Sequence, residues 1–140
     1  MLSDSWKIFK DKNTLSERLA ADIIYVANES IKKSGQFNIV LAGGKSFIDS
    51  YKILRDAKSN WIKWHIYICD ERCLPINDKD RNDSIINEAW LKYGKIPKKN
   101  INFINAELGI EEAVKHYESV LKNNIIFDLV LLGMGEDGHT

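Results

Sequence analysis

The stretch Phe37-Asn38-Ile39-Val40-Leu41-Ala42-Gly43-Gly44-Lys45-Ser46 decides how the rest of the chain is read. Its first six residues hold a single polar side chain, Asn38. A nearly continuous apolar run of this length predicts a strand covered on both faces, as in a parallel sheet, and not the alternation of a sheet with one wet face. Two glycines then break the run, and Phe47, Tyr51 and Leu54 predict a helix that ends before Asn60. Strand, tight turn and helix make one βα unit.

The same pattern recurs on either side. His65-Ile66-Tyr67-Ile68-Cys69 predicts a second buried strand, which delivers Asp70-Glu71-Arg72 at its end. Phe127-Asp128-Leu129-Val130-Leu131-Leu132 predicts a last strand, followed by Gly133-Met134-Gly135-Glu136-Asp137-Gly138-His139-Thr140. Trp6-Lys7-Ile8-Phe9 predicts a short opening strand, and residues 101–104 another. A first helix begins near Leu15, with Asn13 or Thr14 as its cap and Glu17 completing a capping box after Thr14. Leu19, Ile23, Val26 and Ile31 recur at helical spacing until Gly35 stops them. Beyond a polar loop through Asp78, Lys79, Asp80 and Arg81, a helix carries Ile85, Ile86, Ala89 and Leu91. Residues 111–123 predict one more, with Ala113, Val114, Tyr117 and Leu121 on its apolar stripe. Strands alternating with helices predict an α/β fold: an open, mostly parallel, Rossmann-like sheet with helices on both faces, one domain over residues 1–140.

Composition narrows the function classes. Of 140 residues 44% are apolar and 29% charged, as in ordinary globular proteins, and 20 Lys plus Arg balance 20 Asp plus Glu. That balance argues against a nucleic-acid or membrane-surface partner held by bulk charge. No apolar run approaches the ~20 residues that span a bilayer. The first residues lack a basic segment followed by an apolar core, so a cytoplasmic protein is expected. His65, Cys69 and Cys73 are regularly spaced, but the fourth ligand of a structural zinc is not apparent, which leaves two reduced thiols and no metal.

The polar clusters sit directly after three apolar strands. The carboxyl ends of parallel strands share one edge, where ligands bind, so three distant segments are expected to meet in one cleft. The Gly43–Gly44 turn offers backbone N–H groups and a helix N-terminus to an anion, with Ser46 as a further donor. Its spacing is not that of a Walker loop. Arg72 suits bidentate recognition of phosphate or carboxylate, although a solvated ion pair would explain the triplet equally well. Asp137-Gly138-His139 places an acid two residues before an imidazole. A carboxylate on one ring nitrogen fixes the tautomer and leaves the other as a base for a water attacking an ester or lactone. Nearby glycine amides suit the oxyanion. His116 is expected on the solvent side of its helix, and His65 at the strand end opposite the cleft.

The last fourteen residues, from Phe127 to Thr140, resemble the signature of the 6-phosphogluconolactonases and their glucosamine-6-phosphate deaminase relatives. Asp70-Glu71-Arg72-Cys73-Leu74-Pro75 and Leu41-Ala42-Gly43-Gly44-Lys45-Ser46 resemble two further signatures, and Asn82 falls where the family tends to carry an asparagine. Arg72 and Thr140 favour the lactonase branch, whose deaminase relatives usually carry an aromatic residue and an isoleucine there. Phe47 departs from the usual proline. The resemblance implies hydrolysis of 6-phospho-D-glucono-1,5-lactone to 6-phosphogluconate, in the pentose phosphate pathway, with neither organic cofactor nor metal. It implies His139 as general base oriented by Asp137, with Gly43, Gly44, Lys45, Ser46, Asp70, Arg72, Asn82 and Gly135 around the substrate. The family pattern continues past the histidine, so a truncated chain is expected, with self-association through an uncovered sheet. Two other readings remain: a deaminase acting on an amino sugar phosphate, and an inactive sugar-phosphate-binding fragment.

Overall fold

The computed structural model describes residues 6–122 and 124–140. Its elements run α1 (Lys12–Ser34), β1 (Phe37–Leu41), α2 (Ile48–Asp56), β2 (Trp64–Ile68), α3 (Asn82–Ala89), β3 (Ile101–Asn102), α4 (Ile110–Leu121) and β4 (Leu129–Val130). The strands form one sheet in the order β3-β2-β1-β4, and every pairing is parallel. Phe37 lies opposite Trp64 and Leu41 opposite Ile68, while Ile39 lies opposite Leu129.

All five β1 residues are buried, as the apolar run predicts. Alternation divides them between two faces. Phe37, Ile39 and Leu41, with Trp64, Ile66 and Ile68 of β2, pack against Ala20, Ile23 and Ala27 of α1, Tyr51 and Leu54 of α2, and Ile86 of α3. Trp64 is the hub: it meets Phe37 edge-on at 4.7 Å and Trp90 at 5.8 Å. On the opposite face Val40 and Tyr67 are buried, and the Phe127 ring stands on Tyr67 at 5.1 Å. The hydroxyl of Tyr117 ties α4 to the sheet, accepting from the Ile68 N–H at 2.9 Å and donating to the Ile68 carbonyl at 3.1 Å. Burial pushes that phenol up to about 12.

Asn38, the polar interruption of β1, is the residue that seats β4. Its N–H donates to the Asp128 carboxylate at 2.7 Å, its side-chain amide to the Ile126 carbonyl at 2.9 Å, and its carbonyl accepts from the Asp128 N–H at 2.9 Å.

Several local expectations are corrected. Residues 6–9 form no strand; Trp6 and Ile8 are exposed, and among the described residues no strand offers them a ladder. Asp11, not Asn13 or Thr14, caps α1 by accepting the Thr14 N–H at 2.7 Å, because a carboxylate meets the helix dipole as well as the free N–H. Asn13 instead donates to Glu17. Gly35 stops the helix as expected, at φ 82°. Leu91 falls in a 3-10 turn beyond α3, and the strands expected over 101–104 and 127–132 shorten to two residues each. Val114 is exposed, so the stripe on α4 is only partly covered, and the expected helix end at Asn123 lies outside the described residues. Among the described residues no helix is long and apolar enough to cross a membrane.

Candidate active site

The strand order places a switch point beside β1. From β1 the chain moves to β2 and β3 on one side, then returns to lay β4 on the other. Loops at the carboxyl ends diverge there and leave a crevice. A cleft of about 360 Å³ occupies that position. It is lined by Gly43, Gly44 and Ser46 after β1, by Asp70 and Arg72 after β2, by Asn82, and by Gly133, Gly135 and His139 after β4.

The first wall is shaped by two glycines with different duties. Gly44 sits at φ 90°, in the left-handed region that disfavours side chains. Gly43 is required by contact, since a Cβ there would lie 1.8 Å from the Asn82 Oδ1. The turn is held from beneath by the Tyr51 hydroxyl, which donates to the Ala42 carbonyl at 2.6 Å. Phe47 is buried and stacks on Tyr51 at 6.0 Å, so its ring floors the cleft near Gly133. Phe47, at the cap position of α2, makes no side-chain cap hydrogen bond. The first-turn N–H groups of α2 therefore suit an anion.

The second wall splits the triplet three ways. Asp70 offers its carbonyl to the Asn82 side chain at 2.9 Å. Arg72 is exposed, and one guanidinium nitrogen donates to the Asp80 carbonyl at 3.1 Å. Glu71 turns inward, its side chain 1% exposed.

The third wall is a short loop closed by Gly135 N–H to the His139 carbonyl at 2.7 Å and Gly138 N–H to the Gly135 carbonyl at 2.9 Å. Gly138 takes φ 86° at the reversal. This brings Asp137 Oδ1 onto His139 Nδ1, and the same oxygen accepts the His139 backbone N–H at 3.3 Å. The hydrogen bonds from His139 hold the Asp137 carboxyl below the usual carboxylate range. A Cβ on Gly135 would stand 2.5 Å from the imidazole Cε1, so this glycine lets the pair close over the backbone.

Residues 10–140 match the family of glucosamine-6-phosphate isomerases and 6-phosphogluconolactonases. The chain belongs to that family. It is 34% identical over 110 residues to a 6-phosphogluconolactonase of Thermotoga maritima, covering 78% of this chain and 50% of the relative. It is 35% identical over 153 residues to a probable 6-phosphogluconolactonase of Arabidopsis thaliana, covering 94% of this chain and 61% of the relative. A solved structure of 6-phosphogluconolactonase from Thermotoga maritima superposes with a TM-score of 0.88 at 30% identity, over 95% of this chain and 61% of that one. The chain thus spans about half to three fifths of the length of these relatives.

For this member of the family, eight of the ten residues singled out from the sequence line the cleft. The other two, Lys45 and Asp137, do not: Lys45 is exposed in its turn, and Asp137 stands beside His139. The sequence reading missed Cys69, which also lines the cleft and whose thiol, though exposed, is pushed up by partial desolvation against the cleft wall and by the Asp70 carboxylate. It also missed the buried Glu71–Arg81 pair behind the second wall. The signal was a helix opening on Asn82-Asp83-Ser84 with Arg81, which cannot accept a hydrogen bond, at its cap. The free N–H groups of such a helix are open to an acceptor from elsewhere in the chain. Cys69 and Cys73 are free and exposed.

Proposed function

We propose that the chain works as a 6-phosphogluconolactonase, hydrolysing 6-phospho-D-glucono-1,5-lactone to 6-phosphogluconate. The observation that carries this reading is His139, paired through Nδ1 with Asp137 and lining the same cleft as Arg72 and the Gly43–Gly44 turn. With Nδ1 committed, Nε2 is the nitrogen that takes a proton from water. The water oxygen then attacks the lactone carbonyl carbon, and the carbonyl oxygen becomes an alkoxide beside the Gly133 amide of the third wall, the Gly135 and Gly138 N–H groups being used to close the loop. Collapse breaks the bond to the ring oxygen, which leaves with the proton from the imidazolium. Asp137 stabilises that imidazolium. The phosphate is held by the Arg72 guanidinium, the Ser46 hydroxyl and the start of α2.

The test is acid release from freshly generated lactone, followed above its spontaneous rate. His139→Ala should lower the enzymatic rate ~10²–10⁴-fold, the scale of a lost general base, with far less effect on the Michaelis constant. Arg72→Ala should raise that constant far more for the phosphorylated lactone than for glucono-1,5-lactone. An unchanged rate in His139→Ala removes the imidazole from the mechanism. Ammonia released from glucosamine 6-phosphate, with no lactone hydrolysis, assigns the chain to the other branch of the family.

A further inference from the structure

The triplet after β2 contains an acid that a ligand in the cleft does not reach. The Glu71 side chain is 1% exposed, and its two oxygens collect three backbone donors: Arg72 N–H at 2.8 Å, Asn82 N–H at 2.7 Å and Asp83 N–H at 2.8 Å. Facing it at 4.0 Å is the Arg81 guanidinium, equally buried, which also donates to the Leu74 and Ile104 carbonyls and to Asp83 and Glu107. The carboxylate is therefore the remote cap of α3, and the first residue it fixes is Asn82. That residue is itself 2% exposed. Its side-chain N–H donates to the Asp70 carbonyl at 2.9 Å, and its Oδ1 rests over Gly43 where a Cβ would come within 1.8 Å. Asn82 thus joins the end of β2 to the turn after β1.

We propose that Glu71 is a positioning residue of the cleft: through Asn82 it sets the Gly43–Gly44 turn, and through its bond to the Arg72 N–H it sets the root of the arginine. The identity of the anion rests on the function proposed above; the mechanical link does not. The three donors require an acceptor-only group, which a carboxylate supplies and a carboxamide does not. A cap that served α3 alone would alter Asn82 and Asp83 but leave a turn on another strand where it was. Positioning predicts movement at Gly43 and Gly44.

The experiment compares backbone amide NMR spectra of the 140-residue chain with those of Glu71→Gln, Asn82→Ala and the double variant, each titrated with 6-phosphogluconate and with inorganic phosphate. The Gly43 and Gly44 signals are expected to shift in Glu71→Gln in the same direction as in Asn82→Ala. Binding of 6-phosphogluconate should weaken about tenfold in each, the scale of one degraded charge-assisted contact, and no further in the double variant. Unmoved Gly43 and Gly44 signals, or losses that multiply in the double variant, would overturn the proposal. Should neither anion bind the unaltered chain, the proposed function fails, while the ligand-free glycine signals still decide the role of Glu71. Glu71→Asp keeps the charge facing Arg81 but withdraws the oxygens by one methylene, and it carries the same test should Glu71→Gln not fold.

Discussion

Replacing Gly43 with alanine is the sharpest test of the packing beneath the cleft. Gly43 is outside the left-handed region, so the cost arises from contact and not from backbone strain. The new methyl would lie 1.8 Å from Asn82 Oδ1, 2.2 Å from its Cγ and 2.8 Å from its Cβ. Asn82 is buried, so its amide has to leave its seat and give up the bond to the Asp70 carbonyl. Forcing a methyl into such a site costs about 1–3 kcal/mol. Stranding the buried amide adds about 1–3 kcal/mol. Alanine also stiffens the unfolded chain, which returns up to about 1 kcal/mol. The net loss is about 1–6 kcal/mol, a melting temperature lower by about 4–24 °C at roughly 4 °C per kcal/mol for a chain of this size. Circular dichroism melts of the single variants and of Gly43→Ala with Asn82→Ala form a double-mutant cycle. Removing the Asn82 amide takes away the two worst overlaps, so the pair should be more stable than additivity predicts by at least about 1 kcal/mol. An unchanged melting temperature in Gly43→Ala, or strictly additive losses, would refute the argument.

Two further outcomes are expected from the charges around the cleft. Arg81→Met leaves the buried Glu71 without its cation and should lower stability to urea by about 3–5 kcal/mol, whereas Arg18→Met, which breaks an exposed pair with Asp22, should cost under about 1 kcal/mol. Equal losses would mean that the burial of Arg81 is unimportant. Partial desolvation and the Asp70 carboxylate raise the Cys69 thiol, so less of it is thiolate at a given pH. Its alkylation by iodoacetamide should lag behind a peptide thiol at pH 8 and catch up only as pH rises above the ordinary thiol value. Added 6-phosphogluconate should slow it further, because Cys69 lines the cleft. Faster alkylation of Cys69 than of a peptide thiol at pH 7 would contradict the raised value.

The sequence made the central strands legible because burial on both faces leaves a continuous apolar signature in β1 and most of β2. The strand-end clusters were legible for a related reason: residues just past the carboxyl end of a buried parallel strand lie at the ligand edge. Three features escaped. The opening segment 6–9 has strand-like composition, yet a strand needs a partner, and composition does not report one. Asp11 lost out to Asn13 and Thr14 because cap choice depends on where the backbone leaves the helix, which side-chain spacing alone does not locate. Glu71 read as one charge among three at an exposed edge. Its destination is set eleven residues later, by N–H groups of α3 that the loop between them brings back beneath it.

Strand order was the other quantity hidden from the sequence, and the site depends on it. Apolar runs show that β1, β2 and β4 end on one edge but not which are neighbours. In the observed order β1 lies between the other two, so its glycine turn borders both the Arg72 segment and the His139 loop. With β4 added beyond β3 instead, the His139 loop would begin about three strand spacings from Gly43, or roughly 14 Å, too far for one small substrate to touch both. Asn38 biases the choice. It is the polar residue inside the apolar run, and its backbone and side chain meet Asp128 and the Ile126 carbonyl just before β4. Buried at that place it needs polar partners, and the approach of β4 supplies them. The residue that looks like a flaw in the strand pattern thus helps bring the His139 loop beside the Gly43–Gly44 turn.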